Sequence, residues 1–263
     1  METASRVVVQ RLVKARLGEG LAARPVASFS LDEAYVIQSE TLAALGESLG
    51  GYKVGLTTSA AQHALGTSEP IAGGLRSRDF MHSPVRIDSV SYQRFAEAEL
   101  IVEIGEDFPV GSAPLSENDI ARRISGLFAG IELCASRYDD DGVTVAQLVA
   151  DNSNAELLIV GSRLASGWDE RFSDIPVNLY CKGRDPIRGS TAAVLGNPLR
   201  SVTWLANWLA RRGQRLTRGQ LVASGSATGI TDLESEEEIL ADFGGLGSVS
   251  VSIARAPLKG RDE

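Results

Sequence analysis

The run "AEAELIVEIGEDF", residues 96–108, places the tightest constraint on the fold. Glu97, Glu99 and Glu103 share one parity, while Ala98, Leu100, Val102 and Ile104 fill the other. Successive side chains of an extended strand point to opposite faces, so the acids share one face and the apolar groups the other. The apolar face seeks a core. The acid face either meets solvent or meets a cation, and a cation needs further oxygen ligands. The next acid embedded in an apolar run is Glu132, in "LFAGIELCASR". Burying a carboxylate among Phe128, Ile131, Leu133 and Cys134 without a partner is costly. A divalent ion shared by Glu97, Glu99 and Glu132 accounts for both features, and such a carboxylate set suits Mg²⁺ or Mn²⁺. The alternative leaves Glu97 and Glu99 in solvent and pairs Glu132 with an arginine such as Arg137.

Composition narrows the function classes. The 263 residues are 43% hydrophobic and 23% charged, with a net charge of −8, which fits a globular chain and not a disordered one. No basic stripe is present, so nucleic acid and anionic membranes are poor partners. No apolar run reaches the length of a membrane span, and the first twenty residues carry interspersed charges, so the expectation is a cytoplasmic protein. Two cysteines, Cys134 and Cys181, are too few for a disulfide framework and read as small core residues. Two histidines, His63 and His82, cannot build a histidine-rich zinc site.

The chain divides into residues 1–51, an N-terminal helical segment, and residues 52–263, the main body. In the first helix Val8, Leu12 and Val13 recur at helical spacing, and Gly18 and Gly20 end it. The second opens on a Ser30/Glu33 capping box and closes at Gly50–Gly51. Strands are expected at 52–56, 96–106, 127–136, 155–160, 175–182, 219–224 and 247–254. Helices are expected over "SENDIARRISGL", "TVAQLVADN" and "NPLRSVTWLANWLARRGQ", the last with Asn197 as N-cap and Pro198 at its first position. The excess of strands over helices predicts an α+β fold: a mixed, curled sheet with peripheral helices.

Other segments invite attention. Lys53 sits in a glycine-flanked apolar strand, where a lysine anchors a carboxylate, moves a proton, or is an ordinary edge residue. Asp79 follows the glycine turn of "GGLRSRDF" and is either a turn residue or chemical. "VADNSNAELL" and "LVASGSATGI" offer polar turns, the latter with amides and hydroxyls suited to an anion.

Taken in order, "GYKVGLT", "LGTSEPIAGGLRSRDF", "AEAELIVEIGEDFP", "GIELCASRYDD", "VADNSNAELLIVG", "LVASGSATGI" and "GGLGSVSVS" resemble the 2-keto-4-pentenoate hydratase branch of the fumarylacetoacetate hydrolase superfamily, over residues 30–254. The resemblance implies that superfamily's curled β-roll and a Mg²⁺ or Mn²⁺ site at Glu97, Glu99 and Glu132. It implies catalytic roles for Lys53 and Asp79 and substrate-facing positions for Ser153, Gly225 and Thr228. It also implies homo-oligomers and association with a related decarboxylase or hydratase. Glu103, where relatives carry an apolar residue, and the acidic segment "TDLESEEEILADF" depart from the pattern.

The superfamily's carbon–carbon hydrolases use a histidine with an acid, and neither His63 nor His82 lies in a comparable motif. The expected activity is therefore that of a hydro-lyase adding water to a 2-hydroxy-2,4-dienoate, or its 2-keto tautomer, in aromatic compound degradation. A 2-oxo-3-enedioate decarboxylase is the first alternative. It needs a cation for its second carboxylate, for which Arg76, Arg78 and Arg137 are candidates. A non-catalytic assembly partner is the second.

Overall fold

A computed structural model describes residues 3–25, 28–88, 94–109, 114–139, 142–234 and 237–254. Helices α1 (Thr3–Arg16) and α2 (Leu31–Ala44) precede β1 (Leu49–Gly55). Helix α3 (Ser59–Ala64) leads to β2 (Ile71–Arg76), β3 (Phe80–His82) and β4 (Val85–Asp88). Strands β5 (Arg94–Ile104) and β6 (Ile124–Ala135) flank α4 (Glu117–Ala121). Helix α5 (Val145–Ala150) precedes β7 (Ala155–Ala165), β8 (Pro176–Cys181) and β9 (Ile187–Ser190). After α6 (Pro198–Ala210) come β10 (Leu221–Ser226), β11 (Thr231–Asp232), β12 (Glu237–Phe243) and β13 (Ser248–Ala254).

The fold is α+β with a mixed, curled sheet. The larger sheet has eight strands in the order β2-β1-β10-β5-β6-β7-β3, with β11 added beside β5; the smaller runs β4-β13-β12-β8-β9. The acid-bearing strand β5 lies in the middle of the larger sheet, antiparallel to β10 and β6. Its Ala96, Ala98, Leu100 and Val102 enter the main core with Val177 and Leu179 of β8, Ile239 and Ala241 of β12, and Val249 and Val251 of β13. The opposite face carries the acids, and Ile101 between them joins a small second cluster with Leu75, Leu158 and Ala223. Of the acid row only Glu99 is fully buried; Glu97 and Glu103 are half-buried.

The helical layer is fastened to the strands by buried polar groups. Gln38 of α2 donates to the Ala72 and Val149 carbonyls at 3.0 and 2.9 Å. Arg16 of α1 donates to the Asp151 and Ala155 carbonyls and pairs with the Asp151 carboxylate at 3.1 Å. Burial first, and then neighbouring Arg137, push the Arg16 guanidinium down to about 10.

Several local expectations hold. The Ser30/Glu33 capping box forms, and Asn197 caps α6 by accepting from the Leu199 amide at 2.9 Å, with Pro198 next. Three differ. Helix α2 stops at Ala44, and Gly50 and Gly51 belong to β1, where Gly51 lies against β10. Helix α4 ends at Ala121, because Ile124 and Leu127 are drawn into the core as the start of β6. Strand β12 runs through the acidic segment, with Glu237 buried and paired with Arg184, while Ser235 and Glu236 lie outside the described residues.

A Cβ at Gly51 would stand 1.9 Å from the Leu221 carbonyl oxygen, in the tight β1–β10 junction. Gly51→Ala is expected to lower unfolding stability by about 2–3 kcal/mol through overpacking, read from the midpoint of chemical denaturation.

Candidate functional site

The acid face of β5 forms one wall of a cavity of about 450 Å³. Register fixes the arrangement. Glu97 lies directly opposite Glu132 on β6, and Glu99 faces Gly130, so the third acid crowds the first two. Lys53 reaches this wall from β1, whose partner Gly73 on β2 has no side chain to obstruct it. The Lys53 ammonium stands 3.1 Å from Glu132 Oε2 as an ion pair, with exposures of 5% and 0%. The alternative partner Arg137 is committed elsewhere: its amide donates to Asp151 at 2.6 Å and its guanidinium lies 3.8 Å from Glu156.

Glu99, 1% exposed, accepts from the Gly225 amide at 2.7 Å. Gly225 adopts φ +118°, and a Cβ there would stand 2.5 Å from Thr57 Oγ1, so the turn requires glycine. Gly225 thus holds Glu99 and does not itself line the cavity.

The electrostatics are those of three acids around one ammonium. Burial, followed by repulsion from Glu132 and Glu97, pushes Glu99 well above the usual carboxylate range. Burial likewise raises Glu132, with Lys53 opposing. Burial penalises the Lys53 ammonium, but Cys134, Glu132, Glu97 and Glu99 outweigh it and keep the amine charged. The buried Glu132 carboxylate meets the Lys53 ammonium at Oε2, while its Oε1 is buried with no hydrogen-bond partner. A buried carboxylate so placed is a strong cost, which a hard cation with oxygen ligands would remove. Ligand atoms of Glu97, Glu132 and Cys134 lie within 4.8 Å of one another, whereas Glu99, on the same face, is held by the Gly225 amide.

The remaining candidates divide. Ser153 lines the cavity from a turn in which Asn152, Ser153 and Asn154 have φ of 57°, 54° and 58°. That left-handed run is held by the Asn152 side chain, which exchanges two hydrogen bonds with Gly74 at 2.8 and 2.7 Å. The Ser153 hydroxyl donates to the Ala72 carbonyl at 3.1 Å. The Thr228 hydroxyl accepts weakly from the Ala98 amide at 3.4 Å, and the next residues, Gly229 and Ile230, reach the cavity instead. Asp79 is not brought to this wall. Its carboxylate accepts three hydrogen bonds from the Arg76 amide and guanidinium, at 2.8, 3.0 and 2.7 Å. Glu103 is separated from the other acids by Ile101; it accepts from Ser125 at 2.9 Å and lies 3.9 Å from Arg163. His63 and His82 are exposed and outside the lining.

Sequence reasoning missed several lining residues. Cys134, read as core, is on the acid face because it stands two positions after Glu132; the same alternation that placed the acids could have found it. Phe95 follows by the same rule from Glu97. Thr57, Ile71, Leu148 and Ile230 come from four different segments and carry no local signal.

No family model matches the chain. Among curated proteins, a 2-keto-4-pentenoate hydratase of Paraburkholderia phymatum is 32% identical over 226 residues, 84% of this chain and 85% of that one. A TodF product hydratase of Pseudomonas putida is 31% identical over 247 residues, covering 90% and 91%. Among solved structures, a 4-oxalocrotonate decarboxylase from Pseudomonas putida G7, complexed with magnesium and adipate, superposes with a TM-score of 0.87 at 25% identity, covering 95% of this chain and 97% of that one. With this identity extending over most of both chains, and with the curled sheet in common, the chain belongs to the 2-keto-4-pentenoate hydratase family of the fumarylacetoacetate hydrolase superfamily.

Proposed function

We propose that the protein is a divalent-metal-dependent hydratase, converting a 2-hydroxy-2,4-dienoate to a 4-hydroxy-2-keto acid. The observation that carries this reading is the contrast inside one cavity. Its floor holds Glu97, Glu99 and Lys53 with Glu132 behind, whereas its outer wall is apolar, with Leu56, Ile71, Phe95, Leu148 and Ile230. Such a site grips a charged head and accepts an uncharged tail.

Glu97, Glu99 and Glu132 would hold Mg²⁺ or Mn²⁺. When bound, the ion supplies Lewis-acid stabilisation of the negative charge that develops on the substrate's 2-oxygen. The side chains account for the rest. Lys53, charged and within reach of the floor, holds or moves a proton there. Protonation of the far end of the diene gives a conjugated enone, and water adds at C4. Ser153, Asn154 and Thr58 present polar groups along the rim that orient substrate and water. Asp79 supports the site indirectly, by fixing Arg76 at the end of β2.

The decarboxylase reading needs a cation for a second carboxylate. Lys53 is the one cation among the described lining residues. Arg76 is bound to Asp79, Arg78 pairs with Glu47, and the Arg137 guanidinium lies 3.8 Å from Glu156. This favours the monocarboxylate hydratase.

With Mg²⁺ present, the purified protein is expected to bleach the diene absorbance of 2-hydroxypenta-2,4-dienoate, and EDTA to abolish the reaction. Carbon dioxide release from a six-carbon diacid, without hydration of the monoacid, would establish the decarboxylase instead. Glu132→Gln is expected to lose divalent-ion binding in calorimetry while keeping its circular dichroism spectrum; undiminished affinity would remove Glu132 from the ligand set. Lys53→Met is expected to lower kcat by about 100- to 10,000-fold in the same assay.

A further inference from the structure

The thiol of Cys134 has no part in the hydration chemistry, yet it faces the metal-binding acids. Strand alternation turns it to the same side of β6 as Glu132, and register sets it opposite Phe95, two residues before Glu97. One oxygen of Glu97, one of Glu132 and the Cys134 sulfur all lie within 4.8 Å of one another. Cys134 Sγ stands 3.5 Å from Glu97 Oε2 and 3.9 Å from the Lys53 ammonium. A tetrahedral zinc ion, with sulfur at about 2.3 Å and a carboxylate oxygen at about 2.0 Å, holds these two atoms about 3.5 Å apart. Glu132, fully buried, with Lys53 at Oε2 and no hydrogen-bond partner at Oε1, supplies the third group of this cluster.

We propose that Glu97, Glu132 and Cys134 form a mixed carboxylate–thiolate site that takes Zn²⁺, Co²⁺ or Cd²⁺ through sulfur, in competition with the hard ion of the three-acid set. The inference rests on the reading of Glu97 and Glu132 as ligands and extends it to the selectivity of the site. Sulfur ligation replaces the S–H bond by a sulfur–metal bond, and the proton leaves to solvent. A thiolate favours zinc and softer ions over Mg²⁺, so Cys134 strengthens one class of ion and does little for the other. This chain's site therefore differs from an all-oxygen site in being open to capture by zinc.

Cobalt is the probe, because cobalt–thiolate ligation gives an intense near-ultraviolet charge-transfer band. Chelator-treated full-length protein titrated with Co²⁺ is expected to develop this band, saturating at one ion per chain. Cys181→Ser should keep it; Cys134→Ser and Cys134→Val should both lack it while retaining the wild-type circular dichroism spectrum. In competition calorimetry the Zn²⁺-over-Mg²⁺ preference of Cys134→Ser should fall by at least about tenfold. Cobalt binding without the band, or a band surviving in both Cys134 variants, overturns the proposal. Mn²⁺ binding, followed by electron paramagnetic resonance, separates the two levels. Mn²⁺ bound with no cobalt–sulfur band leaves the three-acid site standing and removes the thiolate. The band without Mn²⁺ binding keeps the thiolate and removes the three-acid site.

Discussion

Glu99 and Glu132 are buried on the same face of one sheet, beside Glu97, and the ammonium of Lys53 is the cation within reach among the described residues. Coulomb repulsion among three acids in a region of low dielectric is severe, and one ammonium does not offset it. The surrounding structure must therefore hold the acids in place. Pairing of β5 with β6 fixes Glu97 against Glu132, the Gly225 amide holds Glu99, and β1 delivers Lys53.

The two faces of the larger sheet are made different by the same alternation. One face of β5 and β6 contributes Ala98, Leu100, Ile131 and Leu133 to the main core, which anchors the strands. The other presents acids and Cys134 to the cavity, with Ile101 and Phe128 closing it off behind. The roof is built from distant segments. The helical layer matters here, because Arg16 and Gln38 tie α1 and α2 to the Asp151 region and to β2, which carry Ser153 and Ile71. Geometry at the cavity is thus linked to packing at the N-terminal helices.

Much of this was legible along the chain. Alternation identified β5 and β13, caps identified α2 and α6, and an isolated acid in an apolar run identified Glu132. Other elements gave no signal for physical reasons. Strand β2, "IAGGLR", is buried along its whole length and carries two glycines, so neither alternation nor propensity marks it. Helix α4 has a long polar pattern, yet the core captures its last residues for β6. Asp79 stands in a suggestive motif, and the arginine three residues earlier that pairs with its carboxylate at 2.7 Å gave no signal as its partner.

By itself the sequence determined the strand faces, the helix starts and the family to which the chain is similar. All of these depend on neighbours along the chain: period-two alternation, a cap and its third residue, a motif and its order. Only the tertiary structure decided that Lys53 and not Arg137 meets Glu132, that Gly225 serves Glu99, that Cys134 joins the acids, and that the cavity wall is apolar. Those facts join residues 53, 97, 132 and 225, which come together only through strand pairing across the sheet. Local pattern fixes which way a side chain points, but what it meets depends on register between strands far apart in sequence.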